Sequence, residues 1–417
     1  MTERVFVTGM GSVTPFGIGV DKLWDSMSNN KLAIKPIQGL SARSEEFRCK
    51  VGGQIPGDFK ISDWLPKLNK KIDPFQAYSI IASGLAIKSS KINLEETDKS
   101  RFGVSSGSSN GGVGTGLKNY KQYLEKGLRG VSPFTGVRYT VNGASAWPAI
   151  HFGLEGPNES FSVTCATGNT AIGNAYRKIK YGHADLMLAG SSDYFDEFIV
   201  VFFHRARAVA ATKDPYEINV LKPFDKNRSG TILSEGSGML LLESESSARK
   251  RGAKIYAEIL GMGETCDARN IVAPDTSGRI MTRAIENCLE EANLKPEEVE
   301  YVSAHGTGTL FNDPTEVKAL KNALGKHAEK IPVSAPKSQL GHLLGASSSV
   351  EAICGIMGGL NNTVTPTLNL ENPDPRCDLD HVPKKARKHE YRTFLNNSFG
   401  FGGHNCVLAI RTGDPED

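Results

Sequence analysis

Ser160-Phe-Ser-Val-Thr-Cys165-Ala-Thr-Gly168 opens as a short alternating strand and runs into a helix, because Ile172, Ala175, Tyr176 and Ile179 recur at i, i+3, i+4 and i+7. Asp185-Leu-Met-Leu-Ala-Gly190 follows as a continuous apolar run, the pattern of a buried parallel strand. The unit reads strand, helix, strand, with Cys165 at the first joint. A thiol at a helix N-terminus meets unpaired backbone N–H groups and the positive end of the helix dipole, which favour thiolate and raise reactivity. Ala166, Thr167 and Gly168 are small enough to let a substrate approach the backbone, and the amide of Cys165 itself is placed to face an oxyanion.

A second stretch repeats this pattern. Tyr301–Ala304 reads as a strand, His305-Gly-Thr-Gly-Thr309 as a loop, and Val317, Leu320 and Leu324 as a helix stripe. Asp313, Pro314 and Glu316 fit an N-cap, a first-turn proline and a capping-box acid for that helix. Pro332–Ala335 is another short strand, followed by Lys337-Ser-Gln-Leu-Gly-His342 and a helix carrying Val350, Ile353, Met357 and Leu360. Phe394-Leu-Asn, a Gly-rich loop and Val407–Ile410 close the chain as a hairpin. Alternating strands and helices define an α/β protein. The basic stretch Ala248–Lys254 separates the two similar parts, giving halves at 1–253 and 254–412.

The 417 residues suffice for a large core, and 39% apolar with 23% charged residues is too apolar for disorder. A net charge of +3 excludes binding nucleic acid through a bulk basic surface but leaves room for a local basic patch. Seven cysteines, none in a short paired spacing, argue against a disulfide framework and for a cytosolic setting. The N-terminus lacks a signal-peptide layout, and the longest apolar stretch, Phe198–Phe203, falls far short of the ~20 residues of a membrane span. The expected protein is soluble and intracellular. The 44 glycines exceed the usual ~7% and are dispersed in tight turns, which points to close backbone packing.

His305 and His342 each sit just past a strand, beside Gly306 and Gly341, and strand ends of open α/β sheets are where sites collect. Three other readings compete with a Cys–His site. Gly107-Ser-Ser109-Asn-Gly111 matches a serine-hydrolase elbow, but the stretch is so rich in Gly and Ser that chance matches are easy. Cys165, His305 and His342 are chemically able to bind a metal, although no short ligand pair anchors such a site. Gly9-Met-Gly11 has Thr14 where a dinucleotide fingerprint requires glycine, so that reading fails.

Taken together, Thr164-Cys165-Ala-Thr-Gly, Ala304-His305-Gly-Thr-Gly-Thr, Lys337-Ser-Gln-Leu-Gly-His342-Leu-Leu-Gly and Asn397-Ser-Phe-Gly-Phe-Gly-Gly403 resemble the β-ketoacyl-[acyl-carrier-protein] synthases of the I/II type, most closely the synthase II group. The resemblance spans essentially the whole chain, from Val7-Thr-Gly-Met-Gly through Lys222-Pro-Phe-Asp225 and Arg251-Gly-Ala-Lys to Pro366-Thr-Leu-Asn-Leu370. It implies a thiolase-type fold, two βαβαβαββ halves in an α-β-α-β-α sandwich, usually homodimeric. The implied reaction is decarboxylative Claisen condensation of an acyl-enzyme thioester with malonyl-carrier protein, extending a fatty acid or polyketide chain. No metal or resident cofactor is implied, because phosphopantetheine arrives on the acyl carrier protein.

By the same resemblance Cys165 is the acyl acceptor, His305 and His342 stabilise the enolate, and Lys337 orients them. The amides of Cys165 and Phe401 form the oxyanion hole, with Phe401 also a gate. Thr307 and Thr309 contact pantetheine, and Phe203 and Asn110 bind substrate. Lys67, Lys70, Lys71, Lys126, Arg129, Arg205 and Arg207 are candidates for docking an acidic carrier protein, Arg207 foremost. The chain departs from the family pattern at Thr164, Asn110, Asn270, His404 and the loop ending in Glu235, departures that bear on acyl length and pathway. Two further readings are a non-catalytic chain-length subunit of a ketosynthase heterodimer and a coenzyme-A-dependent thiolase-type acyltransferase. The first is disfavoured by the presence of Cys165; the second needs another cysteine, for which Cys406 is the candidate.

Overall fold

Met239, Leu240, Leu241 and Leu242 are consecutive and fully buried, yet they serve two cores: Leu240 and Leu242 point one way, Met239 and Leu241 the other. Such a strand has helices on both faces, and the period of two along it assigns each side chain to a layer. The same split recurs at Val407 and Ala409 against Leu408 and Ile410.

The computed structural model describes residues 2–68 and 71–416. Its first half builds β1 (Val5–Thr14), α1 (Pro74–Ser90), β2 (Phe102–Gly107), α2 (Gly143–Phe152), β3 (Asn158–Phe161), α3 (Thr167–Lys180), β4 (Leu186–Asp193) and β5 (Gly236–Ser244). The second builds β6 (Ala257–Cys266), α4 (Arg279–Glu291), β7 (Tyr301–Ser303), α5 (Asn312–Leu324), β8 (Val333–Ser334), α6 (Ser347–Leu360), β9 (Thr393–Gly400) and β10 (His404–Thr412). Each half is βαβαβαββ. The strand order is β3-β2-β4-β5-β1 in one and β8-β7-β9-β10-β6 in the other, with the same pattern of parallel and antiparallel neighbours. This shared topology demonstrates a repeat that residue identities leave obscure. The halves join where Val5–Val7 pairs antiparallel with Ala257–Ile259.

α3 and α6 form the central layer: Ile172, Tyr176 and Ile179 of α3 pack with Val350, Ile353 and Ile356 of α6 among strands of both halves. Ile80 and Ile81 of α1 cover the outer face of the first half, and Met281, Ile285, Val317 and Leu320 of α4 and α5 that of the second. The result is the expected α-β-α-β-α sandwich. Gly9 and Gly11, the remnant of the failed dinucleotide motif, let α1 close on β1, since a Cβ at either would overlap the carbonyl of Ala86 or Ala82.

One local expectation is corrected. Asp313 and Glu316 do not form a capping box, because α5 begins at Asn312 with Phe311 at its N-cap and both carboxylates are buried in tertiary contacts. Asp313 accepts the N–H groups of Phe224 and Gly308, while Glu316 accepts those of His305 and Gly306.

Candidate active site

Cys165 lies in a tight turn, Thr164–Ala166, that feeds directly into α3. Thr164 adopts a left-handed φ of 52°, which is costly for a β-branched residue and lifts the next side chain out of the line of the strand. The other half has the matching device: Leu344, with φ of 56°, opens the turn Leu344–Ala346 that feeds α6. Both helix N-termini therefore converge at the centre, and Gly345 stands where the first half has Cys165.

His305 follows β7, and His342 follows the short helix Lys337–Leu340. His342 Nε2 is 3.1 Å from Cys165 Sγ, and the two imidazoles meet edge-on with centroids 5.7 Å apart. His342 Nδ1 receives the backbone N–H of Leu344 at 3.2 Å and also contacts Ser347 Oγ at 2.9 Å. His305 Nδ1 lies 3.3 Å from the Lys337 ammonium, a donor. With both Nδ1 atoms accepting, both rings carry their proton on Nε2. Burial and the Lys337 charge hold both imidazoles well below the ordinary histidine range, so they stay neutral. The three candidate ligand atoms lie within 4.8 Å of one another, but two N–H donors beside a cation are poorly suited to a metal ion.

The thiol departs from expectation. Burial pushes Cys165 up to about 11, against which Lys337 and the amides of Phe401 and Cys165 itself pull down. Desolvation outweighs these three stabilising groups, so burial favours the protonated thiol. Cys266 is exposed, whereas the other six cysteines, Cys165 included, are buried.

A cavity of about 450 Å³ reaches Cys165, His305 and His342, and Phe203, Thr307, Thr309, Phe401 and Arg207 line it with them. Thr307 Oγ1 and Thr309 Oγ1 are 3.0 Å apart on its wall. The Phe401 ring stacks on Phe203 at 5.9 Å, and Thr164 Oγ1 donates to the Phe401 carbonyl at 2.9 Å, tying the Phe401 loop to the Cys165 turn. Asn110 lines no part of this cavity; its backbone N–H is held by Asp193 at 3.3 Å. Among the described residues Ser109 has no histidine partner, and its Oγ donates to the Thr164 carbonyl at 2.9 Å, which removes the serine-hydrolase reading. Cys406 is buried behind the site with Thr170 and Glu264, outside the cavity.

Among the basic candidates, Arg207 is exposed at the cavity, and Arg205 joins it along a neighbouring hollow with Arg43 and Arg48. Lys67, Lys71, Lys126 and Arg129 are exposed and line neither space. Lys70 lies outside the described residues. The sequence reading missed Glu351, whose Oε1 accepts from Lys337 Nζ at 2.7 Å with both groups buried. A lone acid among the small and apolar residues of Ser347–Leu360 was the available signal. Burial lifts Glu351 to about 7 against the pull of Lys337.

A buried thiol, two neutral N–H imidazoles and a lysine on paired βαβαβαββ halves define a thiolase-fold acyl-transferring enzyme. Residues 2–248 match the beta-ketoacyl synthase N-terminal domain and residues 256–371 the C-terminal domain, and the chain belongs to that family. It is 41% identical over 411 residues to 3-oxoacyl-[acyl-carrier-protein] synthase 2 of Synechocystis, and 38% identical over 410 to that of Coxiella burnetii, covering 98% of each chain in both cases. Among solved structures it superposes on a beta-ketoacyl synthase from Burkholderia phymatum with a TM-score of 0.91 and 32% identity, covering 99% of this chain and 100% of that one. A type II polyketide ketosynthase solved with its acyl-carrier protein gives the same TM-score at 29% identity and the same coverage.

Proposed function

We propose that this chain condenses a Cys165-bound acyl group with a malonyl unit delivered on an acyl carrier protein, releasing CO2. The observation that carries this is the pairing of one thiol with two Nε2–H imidazoles at a single cavity. Acyl transfer exchanges one thioester for another: the Cys165 proton ends on the departing pantetheine sulfur, and the amides of Cys165 and Phe401 stabilise the oxyanion. Decarboxylation then places charge on the malonyl thioester oxygen, where His305 and His342 donate. The resulting carbanion attacks the acyl carbon and expels the Cys165 sulfur as thiolate, which takes a proton from solvent to restore the thiol. Lys337 keeps His305 in the donor tautomer, Thr307 and Thr309 bind the pantetheine arm, and Phe401 must swing off Phe203 to admit the acyl chain.

The chemistry requires no metal or resident cofactor, since phosphopantetheine travels on the substrate. Exposed Arg207 at the cavity suits an acidic carrier protein. A homodimer accounts for the half-exposed edge strand β3 and for the exposed Leu117, Tyr120, Leu124 and Leu128 around the helix Val113–Lys126. Seven unpaired cysteines fit a reducing compartment, and we assign the cytoplasm. Among the described residues no helix is long and apolar enough to cross a membrane.

The test is mass spectrometry of the protein incubated with acyl-carrier proteins of graded chain length. The expected product is an acyl adduct on Cys165 that malonyl-carrier protein discharges with release of CO2. An unmodified Cys165 at every chain length overturns the reading.

A further inference from the structure

Asp193, at the end of β4, is fully buried and touches neither Cys165 nor either histidine in any hydrogen bond. Its carboxylate is nevertheless saturated with donors. Oδ1 accepts from Ser108 Oγ at 2.7 Å, Ser109 N at 3.0 Å and Asn110 N at 3.3 Å, and Oδ2 accepts from Ser109 N at 3.0 Å and Gly345 N at 2.8 Å. Five contacts to one buried carboxylate, from loops of opposite halves, exceed what a local turn needs.

The two sides of the carboxylate lead to the two functional turns. On one side Ser109, held by its N–H, donates its Oγ to the carbonyl of Thr164, the strained residue that presents Cys165. On the other side Gly345 follows Leu344, which has a matching left-handed φ and whose N–H fixes Nδ1 of His342. Gly345 is required for this approach: a Cβ there would lie 2.6 Å from Ser109 Oγ and 2.8 Å from Asp193 Oδ2. We propose that Asp193 is a positioning residue that sets the nucleophile turn of the first half in register with the histidine turn of the second. It also gives Ser109 a role, as the relay from Asp193 to the Thr164 turn.

An oxyanion site loses rate steeply when donors shift by a fraction of an ångström, so this registration matters for both half-reactions. Asparagine has the size of aspartate but replaces one acceptor oxygen with a donor nitrogen. Whichever way the amide turns, an N–H then faces either Gly345 N–H or the donors of Ser108–Asn110. Burial lifts Asp193 to about 6, and its donors offset part of that rise, so the acceptor form prevails at pH 7.5.

The proposal rests on the condensation reading, and its test separates the two. The purified full-length protein is assayed at pH 7.5 for acyl transfer to Cys165 from acyl-carrier protein and for CO2 release from malonyl-carrier protein. Asp193→Asn is expected to lower both rates by about tenfold or more with KM within about twofold. Ser109→Ala cuts only the arm to Thr164, so it is expected to slow acyl transfer while CO2 release stays within about twofold of the parent. A parent lacking both half-reactions refutes the condensation reading. With both present in the parent, a folded Asp193→Asn variant that keeps both rates refutes the registration role. Equal effects of Ser109→Ala on the two half-reactions also refute it, and this second variant decides the matter if Asp193→Asn fails to fold.

Discussion

His342 Nε2 stands 3.1 Å from Cys165 Sγ, and because Leu344 N–H occupies the other ring nitrogen, the imidazole proton points at the sulfur. In the condensation proposed above, this geometry suits His342 to donate to charge that develops beside Cys165 and not to strip its proton. Cys165, lifted to about 11 by burial, is a thiol that loses its proton only in the course of transfer.

The half-reactions separate by residue. Cys165→Ala is expected to abolish self-acylation and condensation yet keep measurable CO2 release from malonyl-carrier protein, which requires donors and no thiol. His305→Ala and His342→Ala are expected to keep partial acylation while decarboxylation falls by about 10²-fold, the scale for losing one oxyanion donor. Radiolabelled CO2 capture and intact-protein mass, on variants that melt cooperatively near the parent, check both.

Alkylation reports the buried thiol. Below its pKa a thiol reacts in proportion to its thiolate fraction, so Cys165 labelling by iodoacetamide is expected to rise about tenfold per pH unit from pH 7 to 9. The reverse sign, a rate already flat at pH 7, belongs to a thiolate stabilised at rest. Exposed Cys266 is expected to be labelled first and without loss of activity, while inactivation tracks Cys165. Peptide mapping across a pH series distinguishes the two sites.

Lys337 and Glu351 form a fully buried pair with Nζ and Oε1 2.7 Å apart, and the same ammonium sets the His305 tautomer. Lys337→Met leaves an unpaired buried carboxyl and is expected to cost about 3–5 kcal/mol. Adding Glu351→Leu removes the orphaned group and is expected to recover most of that stability. Decarboxylation stays low in the double variant, because His305 has lost its fixed donor geometry. Chemical denaturation beside a decarboxylation assay reads the split.

Arg207 is exposed and carries a left-handed φ of 56° beside the cavity. Arg207→Glu is expected to raise KM for the carrier protein several-fold and to flatten its salt dependence, with kcat little changed, because rim charges act on association. Steady-state kinetics from low to high ionic strength provide the check.

The sequence by itself determined the local units and the chemistry they carry. Periodicity at Ile172, Ala175, Tyr176 and Ile179 sufficed for α3, since an amphipathic stripe depends only on neighbours along the chain. Ordered motifs around Cys165, His305, Lys337, His342 and Phe401 named residues that the fold brings close to one another. Only the tertiary structure decided what depends on partners distant in sequence. Glu316 looks like a helix cap until β7 delivers the amides of His305 and Gly306 to it. Ser109 looks like a nucleophile until its hydroxyl is found on the Thr164 carbonyl. Cys165 looks like a thiolate when only its helix is counted, yet desolvation by the whole fold reverses the balance, because burial is the sum of every surrounding layer. The repeat follows the same rule: strand order and direction are relations between segments far apart, and the two halves share them although their sequences differ.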